Sequence, residues 1–322
     1  MISTPKPGDR IDRFRIQSLV ARSGMASIFR ALDTSDGMTV AIKVPHPEME
    51  CDPLFYDRFH REMEIGKKLS HPGVVKFLQV EDPSRVYITM EWAEGRPLRE
   101  ILDERKKLTQ EESIQIARAS LDALGYIHAH GVVHRDLKPD NIMVDGDRIK
   151  LIDFGIAREA GSRRLTYAKL TKAMGTPDYI SPEQIKGSRG TAQSDLYTFG
   201  VILFEMVTGQ LPFQADNPIA AMNRRLVADP IPARTLEPTT SPELEEVLHR
   251  ALERKPEHRY ATALEFADDL ANLDRVGVQE RAAARAALRL QPPKMKWTWS
   301  YVAIALIPVV IFALLLIVAH SK

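Results

Sequence analysis

The sequence predicts an α+β protein whose N-terminal part is an antiparallel sheet with one helix and whose remainder is mainly helical, followed by an apolar helix long enough to cross a membrane. Three observations predict it. Residues 14–44 read as three β-rich runs split by turn signals. Apart from residues 57–69, capped stretches of helical spacing begin only at Thr109 and recur to about residue 272. Residues 297–319 are 23 residues without a charge, roughly 34 Å as a helix against a hydrocarbon core of about 30 Å.

The chain has 322 residues, room for one large domain or two small ones. Its single cysteine, Cys51, cannot close an intrachain disulfide, which fits a reducing compartment. The first twenty residues are polar and charged, so no signal peptide is expected. A net charge of +1 conceals an asymmetry: residues 275–296 hold six basic residues against Glu280, and residues 1–274 carry −5. A mildly acidic domain (14–272) is thus joined by a basic juxtamembrane linker (273–296) to the apolar span (297–319), with a tail of His320, Ser321 and Lys322 beyond it. Nothing in this composition points to nucleic-acid binding. Arg289, Lys294 and Lys296 ahead of the span predict that the domain stays cytoplasmic, and Trp297, Trp299 and Tyr301 fall where an interfacial aromatic belt lies. Arg281, Arg285 and Arg289, four apart, form one stripe on a helix, facing either anionic lipid or solvent.

Taken in order, residues 1–13 read as a loose lead-in containing Pro5 and Pro7. The first strand runs from Phe14 past Leu19 and Val20, the second through Ile28, and the third over 39–44, with Ala41 and Lys43 in alternation. Between the first two lies Ala21-Arg22-Ser23-Gly24-Met25-Ala26-Ser27, a run of mostly small residues whose backbone can approach a ligand closely, with Gly24 as its freest point. Residues 57–69 have helical spacing and carry Glu62 and Glu64. Two further strands, 74–80 and 86–91, lead to the connector Glu91-Trp92-Ala93-Glu94-Gly95 behind Met90. The helix 109–129 opens on a Thr109/Glu112 capping box and stops at Gly131. Later helices open near Ser194, at Ser241-Pro242 and at Thr262, the last with Glu265 closing a capping box.

The stretch His134-Arg135-Asp136-Leu137-Lys138-Pro139-Asp140-Asn141 carries the chemistry. An aspartate can orient a hydroxyl, a lysine two positions on can neutralise a phosphate, and an asparagine three further can ligate a metal through oxygen. Pro139 excludes a regular helix there. Such groups suit phosphoryl transfer to an alcohol, where positioning and charge neutralisation dominate. A hairpin through Met143 and Ile152 then delivers Asp153-Phe154-Gly155, whose carboxylate can hold magnesium together with Asn141. Residues 156–180 are polar and rich in Arg, Ser and Thr. Ser181-Pro182-Glu183, Asp195 within Ser194-Asp195-Leu196-Tyr197-Thr198-Phe199-Gly200, and Arg259 follow.

With these motifs in this order, the chain resembles the eukaryotic-like (Hanks-type), membrane-anchored Ser/Thr protein kinases of bacteria over about residues 14–272, in the two-lobed protein kinase fold. The resemblance implies ATP and Mg2+ (or Mn2+) as cofactors and protein substrates, with the chain at the cytoplasmic membrane as a single-pass protein. Related kinases often dimerise. It implies Asp136 as catalytic base, Lys138 on the γ-phosphate, Asn141 and Asp153 on metal, and Lys43 on the α/β-phosphates, paired with Glu62 in preference to Glu64. Val20, Ile28, Ala41, Met143 and Ile152 would sandwich the adenine. Met90 would be the gatekeeper, Glu91 and Ala93 the hinge, and Ala21, Ser23 and Gly24 the phosphate loop. His134, Arg135, Asp195, Glu183 and Arg259 would hold the frame, and Thr166 and Thr171 would accept phosphate, ahead of Ser162 and Tyr167. Two departures stand out. Ala21, Ser23 and Ala26 replace the three glycines of the phosphate loop, and with only His320, Ser321 and Lys322 after the span no sensor domain is expected there. The altered loop supports an alternative, a pseudokinase scaffold. A small-molecule phosphotransferase is disfavoured by the long activation segment and its Ser181-Pro182-Glu183 anchor.

Overall fold

The computed structural model describes residues 4–50, 53–153 and 177–290. The chain divides into a unit ending at Val276 and a second beginning at Gly277. In the first unit six strands form one sheet, ordered β1-β2-β3-β4-β6-β5 and antiparallel throughout: β1 (Arg10–Ile11), β2 (Phe14–Arg22), β3 (Ala26–Asp33), β4 (Thr39–Pro45), β5 (Phe77–Leu78) and β6 (Ile88–Glu91). Strand alternation divides its faces. Val40, Ile42 and Val44 of β4 are buried in a cluster with Phe14, Ile16, Phe29 and Tyr87. Ala41 and Lys43 therefore face the other side, towards the helical part. Helix α1 (Pro47–Glu50) and helix α2 (Pro53–Gly66) follow β4.

The helical part is built around α4 (Gln110–Ala129) and α6 (Ala192–Thr208), the latter buried at every position from Ser194 to Thr208. A helix buried on all sides belongs at a domain centre, and α3 (Leu98–Arg105), α5 (Pro182–Ile185), α7 (Pro218–Val227), α8 (Ala233–Leu236), α9 (Pro242–Ala251) and α10 (Ala263–Ala271) complete this part. A second sheet of β7 (Arg96–Pro97), β8 (Ile142–Asp145) and β9 (Arg148–Leu151) lies where the two parts join. Gly95 makes that junction tight: its φ is +91°, and a β-carbon there would run into the Val144 carbonyl. In the second unit, helix α11 spans Val278–Leu290.

The structure corrects several sequence expectations. The lead-in is not loose throughout, because Arg10–Ile11 pairs with β2, Ile11 is buried, and Asp12 accepts from Tyr87 Oη at 2.5 Å and from the Ser84 amide. Of the strands expected over 74–80 and 86–91, only Phe77–Leu78 and Ile88–Glu91 are regular. The α2 helix ends at Gly66, not Leu69, where the bare glycine packs on the Phe77 ring. Thr262 caps α10 by accepting from the Glu265 amide, but the Glu265 carboxylate turns to the Ala261 amide and to Arg250 and closes no box. The first unit runs through Val276, which is buried with the helical core. Among the described residues no helix is long and apolar enough to cross a membrane, and residues 297–319 lie outside them.

Candidate active site

Helix α4 delivers the loop that carries Asp136. Gly131, at φ +73°, ends the helix, and the chain turns through buried His134. One side chain on α6 fixes the turn. Asp195 accepts from the Arg135 amide on Oδ1 (2.9 Å), and on Oδ2 from the His134 amide (2.8 Å) and His128 Nε2 (2.9 Å). Arg135 is held at φ +63° and Asp153 at +55°, a conformation that non-glycine residues adopt only when their surroundings impose it. A 3-10 turn over Pro139–Asn141 brings Asn141 round, so that its Nδ2 donates to the Asp136 carbonyl at 2.8 Å. The Ile152 amide donates to the Asn141 carbonyl at 3.0 Å, and His134 Nε2 donates to the Ile152 carbonyl at 3.2 Å. These bonds place Asp136, Asn141 and Asp153 around one loop–hairpin junction, and Lys138, between Asp136 and Asn141 in sequence, is half-buried.

From the opposite side, Lys43 Nζ donates to Glu62 Oε1 at 2.7 Å and to Asp153 Oδ1 at 2.8 Å. Glu62 is buried, whereas Glu64 is exposed and pairs with Lys67. Burial alone would lower the Lys43 pKa, but the charges of Asp153 and Glu62 outweigh it and hold the ammonium above its ordinary value. Burial also pushes the Glu62 carboxyl up despite Lys43, and its Oε2 has no hydrogen-bond partner among the described residues. At Asp153 burial acts upward too, yet the Lys43 charge and hydrogen bond prevail and its carboxyl is lowered. Its side chain stays 35% exposed. With Nδ2 of Asn141 committed to the Asp136 carbonyl, the amide oxygen is the end turned to a ligand. A carboxylate and an amide oxygen are the hard donors that magnesium or manganese takes, so these residues fit such an ion.

Register places the rest of the expected nucleotide face. Ala41 lies opposite Met90, and Ile28 opposite Lys43. Met90 is buried, Ile28, Ala41, Met143 and Ile152 are half-buried, and Val20 is 51% exposed beside a bulge in β2. Glu91 donates its amide to the Lys76 carbonyl, and its carboxylate accepts from Lys150 Nζ (2.6 Å) and the Lys76 amide (2.7 Å). Ala93 lies in the connector beyond β6. Ser23 and Gly24 are exposed in the loop, whereas Ala21, expected in that loop, is an exposed residue of β2 paired with Ile28.

Below the site, Arg259 and Glu183 form a bidentate pair, Nη1 to Oε1 and Nη2 to Oε2, both 2.8 Å. Ser194 Oγ donates to the same Glu183 Oε1 at 2.5 Å. Tyr179 Oη donates to Glu205 Oε2 at 2.6 Å, and Arg99 Nη2 donates to Glu205 Oε1 at 2.7 Å. This joins the segment after residue 176 to α3 and α6. Sequence reasoning missed His128, the Arg99–Tyr179–Glu205 group and the Lys150–Glu91 pair. Each is a long-range contact between residue types common on any surface, and no spacing marks them. Phe154, Gly155, Ser162, Thr166, Tyr167 and Thr171 lie outside the described residues.

An antiparallel lobe, a helical lobe and a lysine–carboxylate cluster between them define the protein kinase class. The protein kinase domain model matches residues 14–269, and the chain belongs to that family. A probable serine/threonine-protein kinase of Streptomyces coelicolor is 36% identical over 264 residues, 80% of this chain and 39% of that protein. Serine/threonine-protein kinase PknB of Mycolicibacterium smegmatis is 35% identical over 265 residues, 80% of this chain and 42% of that protein. The chain thus spans about two-fifths of the length of these curated relatives. Among solved structures, the Mycobacterium tuberculosis PknI kinase domain superposes with a TM-score of 0.66 at 25% identity, covering 84% of this chain and 99% of that one. Rad53 1-466 in complex with AMP-PNP gives 0.65 at 26% identity, covering 80% and 64%.

Proposed function

We propose that this chain is a membrane-anchored protein kinase that transfers the γ-phosphoryl group of ATP to serine and threonine hydroxyls of proteins, itself included. The observation that carries this reading is the Lys43 ammonium held between Glu62 and Asp153 at 2.7 and 2.8 Å, across the cleft from the loop bearing Asp136. Lys43, oriented by Glu62, binds the α/β-phosphates. Asp136 orients the substrate hydroxyl and accepts its proton, and Lys138 steadies the γ-phosphate. Asn141 and Asp153 hold magnesium or manganese, which when bound neutralises charge on the transferred group. Val20, Ile28, Ala41, Met143 and Ile152 enclose the adenine, with Met90 behind it and the Glu91–Ala93 backbone at its edge. His134, Arg135 and Asp195 fix the loop, and Glu183 with Arg259 anchors the end of the activation segment. A phosphate on Thr166 or Thr171 would gain charge-assisted bonds from the Arg135 region and order that segment. Lys138 two residues after Asp136 and the serine/threonine-kinase relatives favour Ser/Thr over Tyr. The pseudokinase alternative has no support from the geometry of Lys43, Glu62, Asn141 and Asp153.

The test is transfer from γ-labelled ATP with magnesium. We expect label on phosphoserine and phosphothreonine of the chain and of a general protein substrate, mapping in part to Thr166 or Thr171. Label confined to tyrosine, or none, overturns the reading. The membrane anchor rests on the uncharged run 297–319 behind a basic linker. The full chain should resist alkaline carbonate extraction of membranes, and a chain ending at residue 290 should be released. Release of both would show that the run does not span.

A further inference from the structure

The phosphate loop of this chain is closed on itself. Between β2 and β3, the Ser23 amide donates to the Ala26 carbonyl at 2.9 Å, and Ser23 Oγ donates to the same oxygen at 3.0 Å. That hydroxyl oxygen also accepts two successive backbone amides, Met25 at 3.3 Å and Ala26 at 3.1 Å. Converging consecutive amides on one oxygen is how a backbone turn binds a phosphate oxygen. In this loop the oxygen already there is the chain's own.

The stem of the loop is fixed as well. The His46 amide donates to the Met25 carbonyl at 2.9 Å, and buried Ser27 Oγ lies 3.0 Å from His46 Nε2. Ala26, Ser27 and Ile28 then pair with Pro45, Val44 and Lys43. The Met25 and Ala26 amides therefore lie a few residues from the strand position opposite Lys43, on a backbone anchored to the segment after β4. Freeing them by moving the backbone would break the His46 bonds and the pairing. Freeing them by rotating one exposed serine side chain breaks the three bonds of Oγ, two accepted and one donated, and leaves the stem intact.

Resting on the kinase reading above, we infer that Ser23 is an internal competitor for the nucleotide phosphates. Its hydroxyl occupies the loop amides that a phosphate oxygen would take, so phosphate binding requires the side chain to swing out. This is a positioning role that acts through the loop backbone, and it weakens the phosphate part of nucleotide affinity without touching the base. Ser23 is exposed, so its side chain can swing into solvent.

The experiment is calorimetric titration of the full chain, wild type, Ser23→Ala and Ser23→Thr, with magnesium-ADP and with adenosine. An exchange of one net hydrogen bond predicts that Ser23→Ala binds ADP about five-fold tighter. Adenosine affinity should stay unchanged, and Ser23→Thr, which keeps the hydroxyl, should restore the wild-type ADP value. If Ser23 merely ordered the loop, Ser23→Ala would bind ADP more weakly or equally, or adenosine would shift in step with ADP; each result overturns the inference alone. A wild-type chain that binds neither ligand overturns the kinase reading, and the inference falls with it.

Discussion

Asp136→Asn should reduce phosphate incorporation from labelled ATP by about 10^2- to 10^4-fold, the range a positioned proton acceptor contributes. The substitution is isosteric and retains the main-chain carbonyl that receives Asn141 Nδ2, so the turn over Pro139–Asn141 has no reason to open. The Asp195 bonds that shape the loop fall on the amides of His134 and Arg135 and are likewise untouched. Nucleotide affinity and thermal stability should therefore stay near the wild-type values while transfer falls. Equal labelling of both proteins would remove Asp136 from the chemistry. Loss of nucleotide binding together with transfer would instead give it a structural part.

How far the site could be read in the sequence follows from periodicity. Lys43 lies in a β-run whose alternate residues Val40, Ile42 and Val44 are apolar, so its facing side follows from a period of two. The choice of Glu62 over Glu64 comes from the resemblance, through its distance of nine residues to His71-Pro72, and not from a local pattern. The capping box at Thr109 and the stop at Gly131 are local chemistry, legible within a few residues. The illegible parts are non-local or depend on rotamers. His128 reaches Asp195, and Arg99 reaches Glu205, across helices whose packing no local pattern encodes. The strand Arg10–Ile11 is too short to show alternation and exists because Ile11 and the Asp12 carboxylate find partners far along the chain. In the loop at 21–28, three missing glycines suggest a weakened phosphate site, but the sequence could not show Ser23 taking the amides for itself.

The largest structural effect is expected at Arg259. Its side chain is fully buried, and every guanidinium N–H is used: Nε to the Glu253 carbonyl, Nη1 to Glu183 Oε1 and the Gln193 carbonyl, Nη2 to Glu183 Oε2 and the Arg254 carbonyl. It also stacks over the buried Tyr197 ring at 4.7 Å. Arg259→Ala strands a mostly buried carboxylate and three carbonyls at once, and removing one partner of such a pair costs about 3–5 kcal/mol. For a domain of this size that lowers Tm by on the order of 10 °C. Arg259→Lys restores the charge but only three donors and no planar fork, so it should recover only part of the loss. The pair also sets an acid limit. Burial alone would push the Glu183 carboxyl up, but the Arg259 hydrogen bonds and charge bring it to about 2, against an ordinary 4.5. A carboxyl depressed in the folded state contributes stability that is complete above about pH 4.5 and is lost as pH falls towards 2. Denaturation curves between pH 6 and 3 should therefore fall more steeply for wild type than for Glu183→Gln, which has no proton to take up there. A Tm loss of under about 2 °C in Arg259→Ala, or parallel pH curves for wild type and Glu183→Gln, would mean that the activation-segment anchor is held by α6 packing and not by this ion pair.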